Sequence, residues 1–264
     1  MHIVNSAANH LIKEVVKLKK SHVRREKGLI IVDGLRETKI ALDNNWELER
    51  LYLCPNLSAG EVLRGVDERL IVSVSEDSFK KICYKEKPDG VLGVFKAKLN
   101  KELDISPNDN PLLIVLEGVE KPGNIGAIIR TAAAAGVSGI IINDCQTDIY
   151  NPNVIRASQG EIFTQKIAIM SKDDTISWLK SAKIRCLAAA TEGENSYFNE
   201  DLSGPVAIVL GSEDYGLSAE WRRAADKIIK IPMVGEIDSL NVSVAAAIIV
   251  FESRRQRING GKKG

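Results

Sequence analysis

Polar side chains and glycines stand together where three predicted strands end in the second half of the chain. The first group is Asn124, Gly126 and Arg130, at the start of a predicted helix. Asn124 suits the N-cap, and Arg130 would lean back over Gly126, leaving room for a ligand. Ligands collect at the carboxyl ends of strands in open α/β sheets. The group therefore predicts a ligand site, although a capped helix with a packing glycine and a surface arginine would also explain it.

The other two groups also follow predicted strands. The turn 211–216, GSEDYG, comes directly after an apolar strand, and its freed backbone N–H groups could hold an adenine ring or a carboxylate. Ser239 and Asn241 flank the start of a long helix, where uncapped amides can orient a polar ligand. Glycine-rich turns and N-caps are common, so neither group alone predicts a particular reaction.

The composition excludes several kinds of chemistry. All three histidines lie near the amino terminus, so the second half cannot hold a Ser-His-Asp triad, and the four cysteines form no CxxC pair. We therefore expect no metal site and no disulfide framework, and a reducing cytoplasm fits the cysteine usage. The sequence has neither a GxxxxGK phosphate loop nor a GxGxxG segment after a first strand. It has no secretory signal pattern and no apolar run of about 20 residues, so we expect no membrane association.

The basic residues are concentrated in two places, although the net charge is only +1. Residues 13–27 carry seven lysines and arginines against two acids, and residues 254–264 carry five and no acid. Such clusters suggest contact with a polyanion, whereas a solvated helix face and a free tail are the alternative. If one helix continued through the first cluster, four cations would lie near one face and could hold RNA backbone: Lys17, Lys20, Arg24 and Arg25.

Strands alternate with helices through most of the 264 residues, which predicts an α/β protein. We expect a first domain at 1–99, a linker at 100–110 that is rich in asparagine, and a second domain at 111–264. The last predicted helix is almost continuously apolar from Val242 to Phe251. Such a helix belongs in a deep core or in a subunit interface.

Taken together, the three groups resemble a known family. The patterns N-x-G-x-x-x-R-T-A, L-G-S-E-x-x-G-L and I-P-M-x-G-x-x-x-S-L-N-V-S occur in this order within 110–258. They resemble the three signature motifs of the SpoU (TrmH) family of RNA 2′-O-methyltransferases. The stretches SAANHLIKEVVKLKK, IIVDGLRETKIAL and KEKPDGVLGVFK are similar, more loosely, to the optional substrate-binding domain of that family, an α/β unit that resembles a ribosomal protein.

The resemblance implies a fold and a set of site residues. The second domain would be an α/β methyltransferase with a parallel sheet and a C-terminal trefoil knot, and two copies would pair through the knot helices as a homodimer. Five residues would hold S-adenosylmethionine, largely through backbone groups: Leu210, Gly211, Ile231, Met233 and Leu240. Five others would form the reaction site: Asn124, Arg130, Glu213, Ser239 and Asn241.

The reaction that the resemblance implies is in-line attack of a ribose 2′-oxygen on the methyl group of the cofactor. We expect Arg130 to clamp the target phosphate and hydroxyl. The first domain favours large-subunit ribosomal RNA as the substrate, including the case of an enzyme that confers resistance, and tRNA is the alternative. A non-catalytic RNA-binding ribosome-assembly factor on the same scaffold is a further alternative, which the intact polar residues of the motifs disfavour. The missing phosphate-loop lysine disfavours a nucleotide-dependent enzyme.

Overall fold

The computed structural model describes residues 3–4, 9–58, 65–98, 102–145 and 147–260. The chain divides into two compact units: the first consists of Met1–Lys98 and Asp148–Thr164, and the second of Leu99–Thr147 and Gln165–Gly264. Residues 100–101 of the predicted linker and the basic tail residues Lys262 and Lys263 lie outside the described residues.

The secondary structure alternates along the chain much as the sequence predicts. The strands are β1 (Ile3–Val4), β2 (Leu29–Asp33), β3 (Leu48–Leu53), β4 (Ile71–Val74), β5 (Val91–Lys96), β6 (Leu112–Glu117), β7 (Gly139–Asn143), β8 (Ile167–Ile169), β9 (Arg185–Ala189), β10 (Asn195–Ser196), β11 (Val206–Leu210) and β12 (Lys227–Lys230). The α-helices are α1 (His10–Leu18), α2 (Ser21–Lys27), α3 (Leu35–Asp43), α4 (Glu76–Ile82), α5 (Pro122–Ala135), α6 (Pro152–Ala157), α7 (Lys172–Ser181), α8 (Ala219–Ala224) and α9 (Val242–Gly260).

The first unit contains a mixed five-stranded sheet in the order β1-β4-β3-β5-β2. Strands β1, β4 and β3 run parallel, and β5 pairs antiparallel with both β3 and β2. Helix α1 buries Ile12, Val15 and Leu18 in the core of this unit. Their spacing of three residues places them on one helix face.

The predicted continuous helix through the basic cluster is interrupted. Helix α1 ends at Leu18 and α2 begins at Ser21, because Lys20 has an extended backbone (φ −85°, ψ 128°). The Arg24 guanidinium donates from Nη1 to the carbonyl oxygens of Leu18 and Lys19 at 2.8 and 3.0 Å. Carbonyls at the end of a helix lack partners within the helix, so Arg24 satisfies the end of α1 and stabilises the break.

Residues 148–164 pack with the first unit, although they follow β7 of the second sheet in sequence. The Trp46 ring meets Tyr150 and Phe163 edge-on, with centroids 5.6 and 5.0 Å apart, and Trp46 Nε1 donates to Phe163 O at 3.1 Å. The expected second domain, 111–264, is therefore not one continuous unit in the structure. Residues 148–164 belong to the first unit because Trp46 covers their aromatic side chains.

The second unit contains a seven-stranded sheet in the order β10-β12-β9-β11-β6-β7-β8. Every strand pairing in it is parallel. Strands β6, β7 and β11 are buried along their whole length, which is typical of parallel strands covered on both faces. The predicted parallel α/β sheet is confirmed. Helices α5 and α9 pack against each other in this unit.

None of the described helices is long and apolar enough to cross a membrane. The described residues also contain no group of three or more His, Cys, Asp or Glu side chains that could hold a metal ion.

Candidate active site

A cavity of about 370 Å³ opens where three neighbouring strands of the second unit end. The segments that follow β9, β11 and β12 form its walls. All five residues that the sequence analysis assigned to the cofactor line it: Leu210, Gly211, Ile231, Met233 and Leu240. Residues from three separated parts of the chain therefore meet around one space.

The turn after β11 is a tight loop whose shape depends on two glycines. A Cβ atom on Gly211 would lie 2.3 Å from the carbonyl carbon and oxygen of Gly216 and 2.5 Å from Leu217 N. Gly216 has a φ of +65°, and its N–H donates to Ser212 O at 3.0 Å. A side chain at Gly211 would therefore force the loop apart.

Three of the predicted reaction-site residues form a hydrogen-bonded cluster beside this cavity. Asn124 Nδ2 donates to Glu213 Oε1 in a short contact. Asn241 Nδ2 lies 3.2 Å from Asn124 Oδ1 and 3.3 Å from Glu213 Oε1, so it donates to both oxygens. One carboxylate oxygen thus accepts from two side-chain amides, which come from the first and third motifs.

The beginnings of two helices position the asparagines. Helix α5 begins at Pro122, so the predicted N-cap role of Asn124 is wrong. Proline favours the first helical position, and this places Asn124 inside the first turn, with its side chain directed to Glu213. Asn241 does cap α9: its Oδ1 accepts from Ser243 N at 2.9 Å and from Ser243 Oγ at 2.7 Å. The backbone donor fixes the amide of Asn241 with its nitrogen toward the cluster.

Lys121 completes the cluster and is not among the site residues predicted from the sequence. Its Nζ lies 2.8 Å from Glu213 Oε2. The hydrogen bond and charge of Glu213 raise the pKa of Lys121. The sequence does offer a signal for this residue, since a basic side chain stands directly before the proline at the start of the first motif.

The two remaining reaction-site residues are placed differently. Ser239 is exposed and lines the cavity. Arg130 is exposed on α5, and within the described part of the chain its guanidinium has no hydrogen-bond or ion-pair partner. Residues six apart on a helix are separated by about 9 Å along the axis and point in different directions. The structure therefore does not bring Arg130 to the cluster of Asn124.

An ion pair on the cavity wall was also missed. Arg222 Nη1 and Glu192 Oε1 form a close contact, and Arg222 Nε donates to Leu217 O at 3.0 Å. Both charged residues line the cavity, together with the acids Glu213 and Asp238. The contact ties the segment after β9 to α8.

A second cavity, of about 420 Å³, lies at the opposite end of β9 and contains none of the predicted site residues. Leu179, Cys186 and Trp221 are among its lining residues. Burial, with a contribution from the charge of Asp226, raises the pKa of Cys186 to about 12, so its thiol is protonated at neutral pH. We do not assign chemistry to this cavity.

The predicted RNA-contacting residues of the first unit are split. Lys17, Lys20 and Arg25 are exposed. Arg24 is only 4% exposed, and its Nη2 lies 2.5 Å from Asp148 Oδ2. The guanidinium of Arg24 contacts Asp148 and the carbonyl groups at the end of α1. Arg24 is therefore a structural residue and is not available to contact RNA.

Comparison with known proteins gives matches along most of the chain. The model of the SpoU rRNA Methylase family matches residues 111–251, and the MRM3-like substrate binding domain matches residues 9–93. The 23S rRNA (uridine(2479)-2′-O)-methyltransferase of Streptomyces viridochromogenes is 29% identical over 248 residues, 90% of this chain and 86% of that protein. The Vibrio parahaemolyticus 23S rRNA (guanosine-2′-O-)-methyltransferase RlmB is 35% identical over 173 residues, 62% of this chain and 70% of that protein.

Two solved structures are similar over nearly the whole chain. The AdoMet-bound rRNA methyltransferase from Sinorhizobium meliloti has a TM-score of 0.86 at 34% identity, covering 96% of this chain and 97% of its own. The SpoU methyltransferase AviRb from Streptomyces viridochromogenes, in complex with AdoMet, has a TM-score of 0.87 at 28% identity, covering 96% and 100%.

Proposed function

The chain belongs to the SpoU rRNA methylase family, and we propose that it transfers the methyl group of S-adenosylmethionine to a ribose 2′-hydroxyl of large-subunit ribosomal RNA. The observation that carries the proposal is the meeting of the three motifs beside one cavity, where Asn124, Glu213 and Asn241 are hydrogen-bonded to one another. The enzymes from Streptomyces and Vibrio that this chain resembles are 23S rRNA 2′-O-methyltransferases.

The cavity beside the cluster fits S-adenosylmethionine. Its volume of about 370 Å³ lies within the range of small-molecule sites. Apolar side chains of Leu210, Ile231 and Met233 suit the faces of an adenine ring, and acids at the wall suit hydroxyl and cationic groups. The bound cofactor would supply a methyl group made electrophilic by its sulfonium.

We assign the orientation of the acceptor hydroxyl to the polar cluster. Holding an acceptor oxygen in line with the group it attacks can contribute several kcal/mol to catalysis. Glu213, Asn124 and Asn241 offer a carboxylate and two amides whose positions are fixed by mutual hydrogen bonds. Ser239 adds a hydroxyl at the cavity wall. The cluster would thus hold the ribose at the edge of the cofactor cavity.

Arg130 would hold a phosphate of the target RNA away from the polar cluster, and not the acceptor hydroxyl itself. A guanidinium is permanently protonated in proteins and donates through five N–H groups. The Arg130 guanidinium would therefore donate hydrogen bonds to oxygens of the RNA and would not act as a base. The exposure of Arg130 supports a role in contacting a large substrate.

The first unit would supply RNA affinity. Lys17, Lys20 and Arg25 are exposed there and available to phosphate groups. The match of residues 9–93 to a substrate binding domain supports the same role. Because the contacts are electrostatic, affinity should fall steeply with salt.

We further propose that the second unit is knotted and dimeric. The resemblance of residues 111–251 to the SpoU family supports a knot in the segment that leads to α9. Val244, Phe251 and Ile258, at intervals of seven residues along α9, are 46%, 48% and 49% exposed. This apolar stripe would be covered by a second copy. A ribosomal RNA substrate would place the protein in the cytoplasm.

Mapping ribose methylation in ribosomal RNA tests the proposed function. Large-subunit RNA from cells with and without the gene would be compared for 2′-O-methylated positions. The proposal predicts one position that loses its methyl group and regains it when the wild-type gene is restored, but not with Glu213→Gln. Identical maps in the two strains would contradict large-subunit RNA as the substrate.

A further inference from the structure

Lys121 is the one cation within ion-pairing distance of Glu213 in the part of the chain that the structure describes. Its ammonium contacts Oε2, whereas Oε1 accepts from Asn124 and Asn241. The side chain of Lys121 is 66% exposed and that of Glu213 only 19% exposed. The ammonium therefore lies on the solvent side of a largely covered carboxylate.

The charges around Lys121 are acidic and, without its ammonium, would repel an approaching polyanion. Glu213 and Asp214 are adjacent, and the charges of both contribute to the raised pKa of Lys121. Without Lys121, two neighbouring carboxylates would face a phosphate. The carboxylates and the phosphate carry charges of the same sign and repel each other, most strongly where water is partly excluded.

The ion pair has little value for folding. An ion pair with a largely exposed ammonium adds little to stability, because water solvates and screens that charge whether or not the pair forms. An ammonium has three N–H donors, and the structure uses one of them on Glu213. The others remain available at the solvent side of the cluster.

We propose that Lys121 admits the RNA backbone to the catalytic cluster, by neutralising Glu213 and by donating to a phosphate oxygen beside the acceptor ribose. The 2′-oxygen and the 3′-phosphate are attached to neighbouring carbons of one ribose. A hydroxyl held at Asn124 and Asn241 therefore brings a phosphate close to this side of the cluster. The inference rests on the proposed function, since it takes RNA as the substrate.

The test compares three substitutions of Lys121 in the full chain. The affinity for a 23S rRNA transcript is measured at several salt concentrations, and the KM for the same RNA is measured separately. Lys121→Gln should bind roughly three- to tenfold more weakly, with a salt slope less steep by about 0.7 to 0.9. Lys121→Glu should bind more weakly still, and Lys121→Arg should retain affinity within about twofold because it keeps the charge.

The matched control is Lys180→Gln, which removes one exposed charge from the last turn of α7. It should leave the KM for RNA and turnover unchanged. The affinity of every variant for S-adenosylhomocysteine should match the wild type, since Lys121 does not line the cofactor cavity. Thermal unfolding of Lys121→Gln should also match it, which separates RNA contact from folding.

An unchanged RNA affinity and salt slope in Lys121→Gln would overturn the inference. If its turnover alone fell, Lys121 would act only through Glu213, and the phosphate contact would be refuted. The binding measurements do not require methyl transfer. A wild-type enzyme that binds the RNA but never methylates it would therefore contradict the proposed function, and not the role of Lys121 in admitting RNA.

Discussion

The side-chain amide of Asn241 donates a hydrogen bond to the side-chain oxygen of Asn124 over 3.2 Å, although 117 positions separate the two residues in the chain. The oxygen of Asn241 is meanwhile held by the N–H of Ser243 at the start of α9. The beginning of α9 thus orients a group that meets the beginning of α5. Helix capping and the organisation of the proposed reaction site therefore depend on the same side chain.

Asn241→Ser separates these two roles. Serine still accepts from the backbone at the N-cap, so Asn241→Ser should keep the capping contribution to the free energy of unfolding within about 0.5 kcal/mol of the wild type. The two hydrogen bonds from the amide are lost, and at about 0.5–1.5 kcal/mol each the single-turnover rate should fall roughly 5- to 160-fold. Asn241→Ala, the comparison variant, should lose about 1 kcal/mol of stability as well. A serine variant with wild-type rates would remove Asn241 from the reaction site.

Gly211→Ala should abolish or strongly weaken cofactor binding. The added Cβ would lie 2.3 Å from the backbone of Gly216, so the loop after β11 must shift and the cavity wall with it. Titration calorimetry with S-adenosylhomocysteine should show at least about a tenfold loss, equivalent to about 1.4 kcal/mol. Gly204→Ala is the control, because nothing lies within 4 Å of its added Cβ. Tight binding by Gly211→Ala would mean that this loop does not form the cofactor site.

Two adjacent arginines should behave oppositely when replaced by alanine. Arg24→Ala leaves the largely covered Asp148 carboxylate without its charged partner, which should cost about 3 kcal/mol in chemical unfolding. Arg25 is exposed, so Arg25→Ala should change stability by less than about 0.5 kcal/mol. Arg25→Ala should instead lower the salt slope of RNA binding by about 0.7 to 0.9. Equal stability of the two variants would contradict the structural role of Arg24.

Phe251→Asp should dissociate the proposed dimer. Phe251 lies in the middle of the exposed apolar stripe of α9, and a carboxylate there cannot be buried against a second copy without a large cost. Light scattering should show monomers, or the protein should become insoluble. Val16→Asp, at a 40% exposed apolar residue of α1, should remain dimeric. A wild-type chain that is a monodisperse and active monomer would refute the dimer.

Continuous apolar runs in the sequence were sufficient to predict the central strands of the sheet that positions the site. Strands β6, β7 and β11 form continuous apolar runs because helices cover both faces, and such runs are visible in a sequence. The family resemblance predicts five residues that would hold the cofactor, and the structure gathers all five at one cavity. Spacing alone could not have shown that these segments meet.

Local rules failed where tertiary contacts decide the conformation. Asn124 has a good capping side chain, but Pro122 starts the helix earlier. Arg24 carries a charge that predicts exposure, yet Asp148, which is distant in sequence, buries it. Residues 148–164 follow a strand of the second sheet, but Trp46 covers their aromatic side chains in the first unit. The contact of Lys121 Nζ with Glu213 Oε2 at 2.8 Å could not be predicted from the sequence, because the fold alone brings these distant residues together.

Methyl transfer to a 23S rRNA transcript tests the central claim most directly. The purified chain would be incubated with the transcript and S-adenosylmethionine carrying a deuterated methyl group, and the RNA would be digested to nucleosides for mass spectrometry. We predict that the label appears in a 2′-O-methylated nucleoside, and that Glu213→Gln, measured in parallel, gives less of it. Label in a base-methylated nucleoside, or no label from wild-type protein that binds S-adenosylmethionine, would contradict the account.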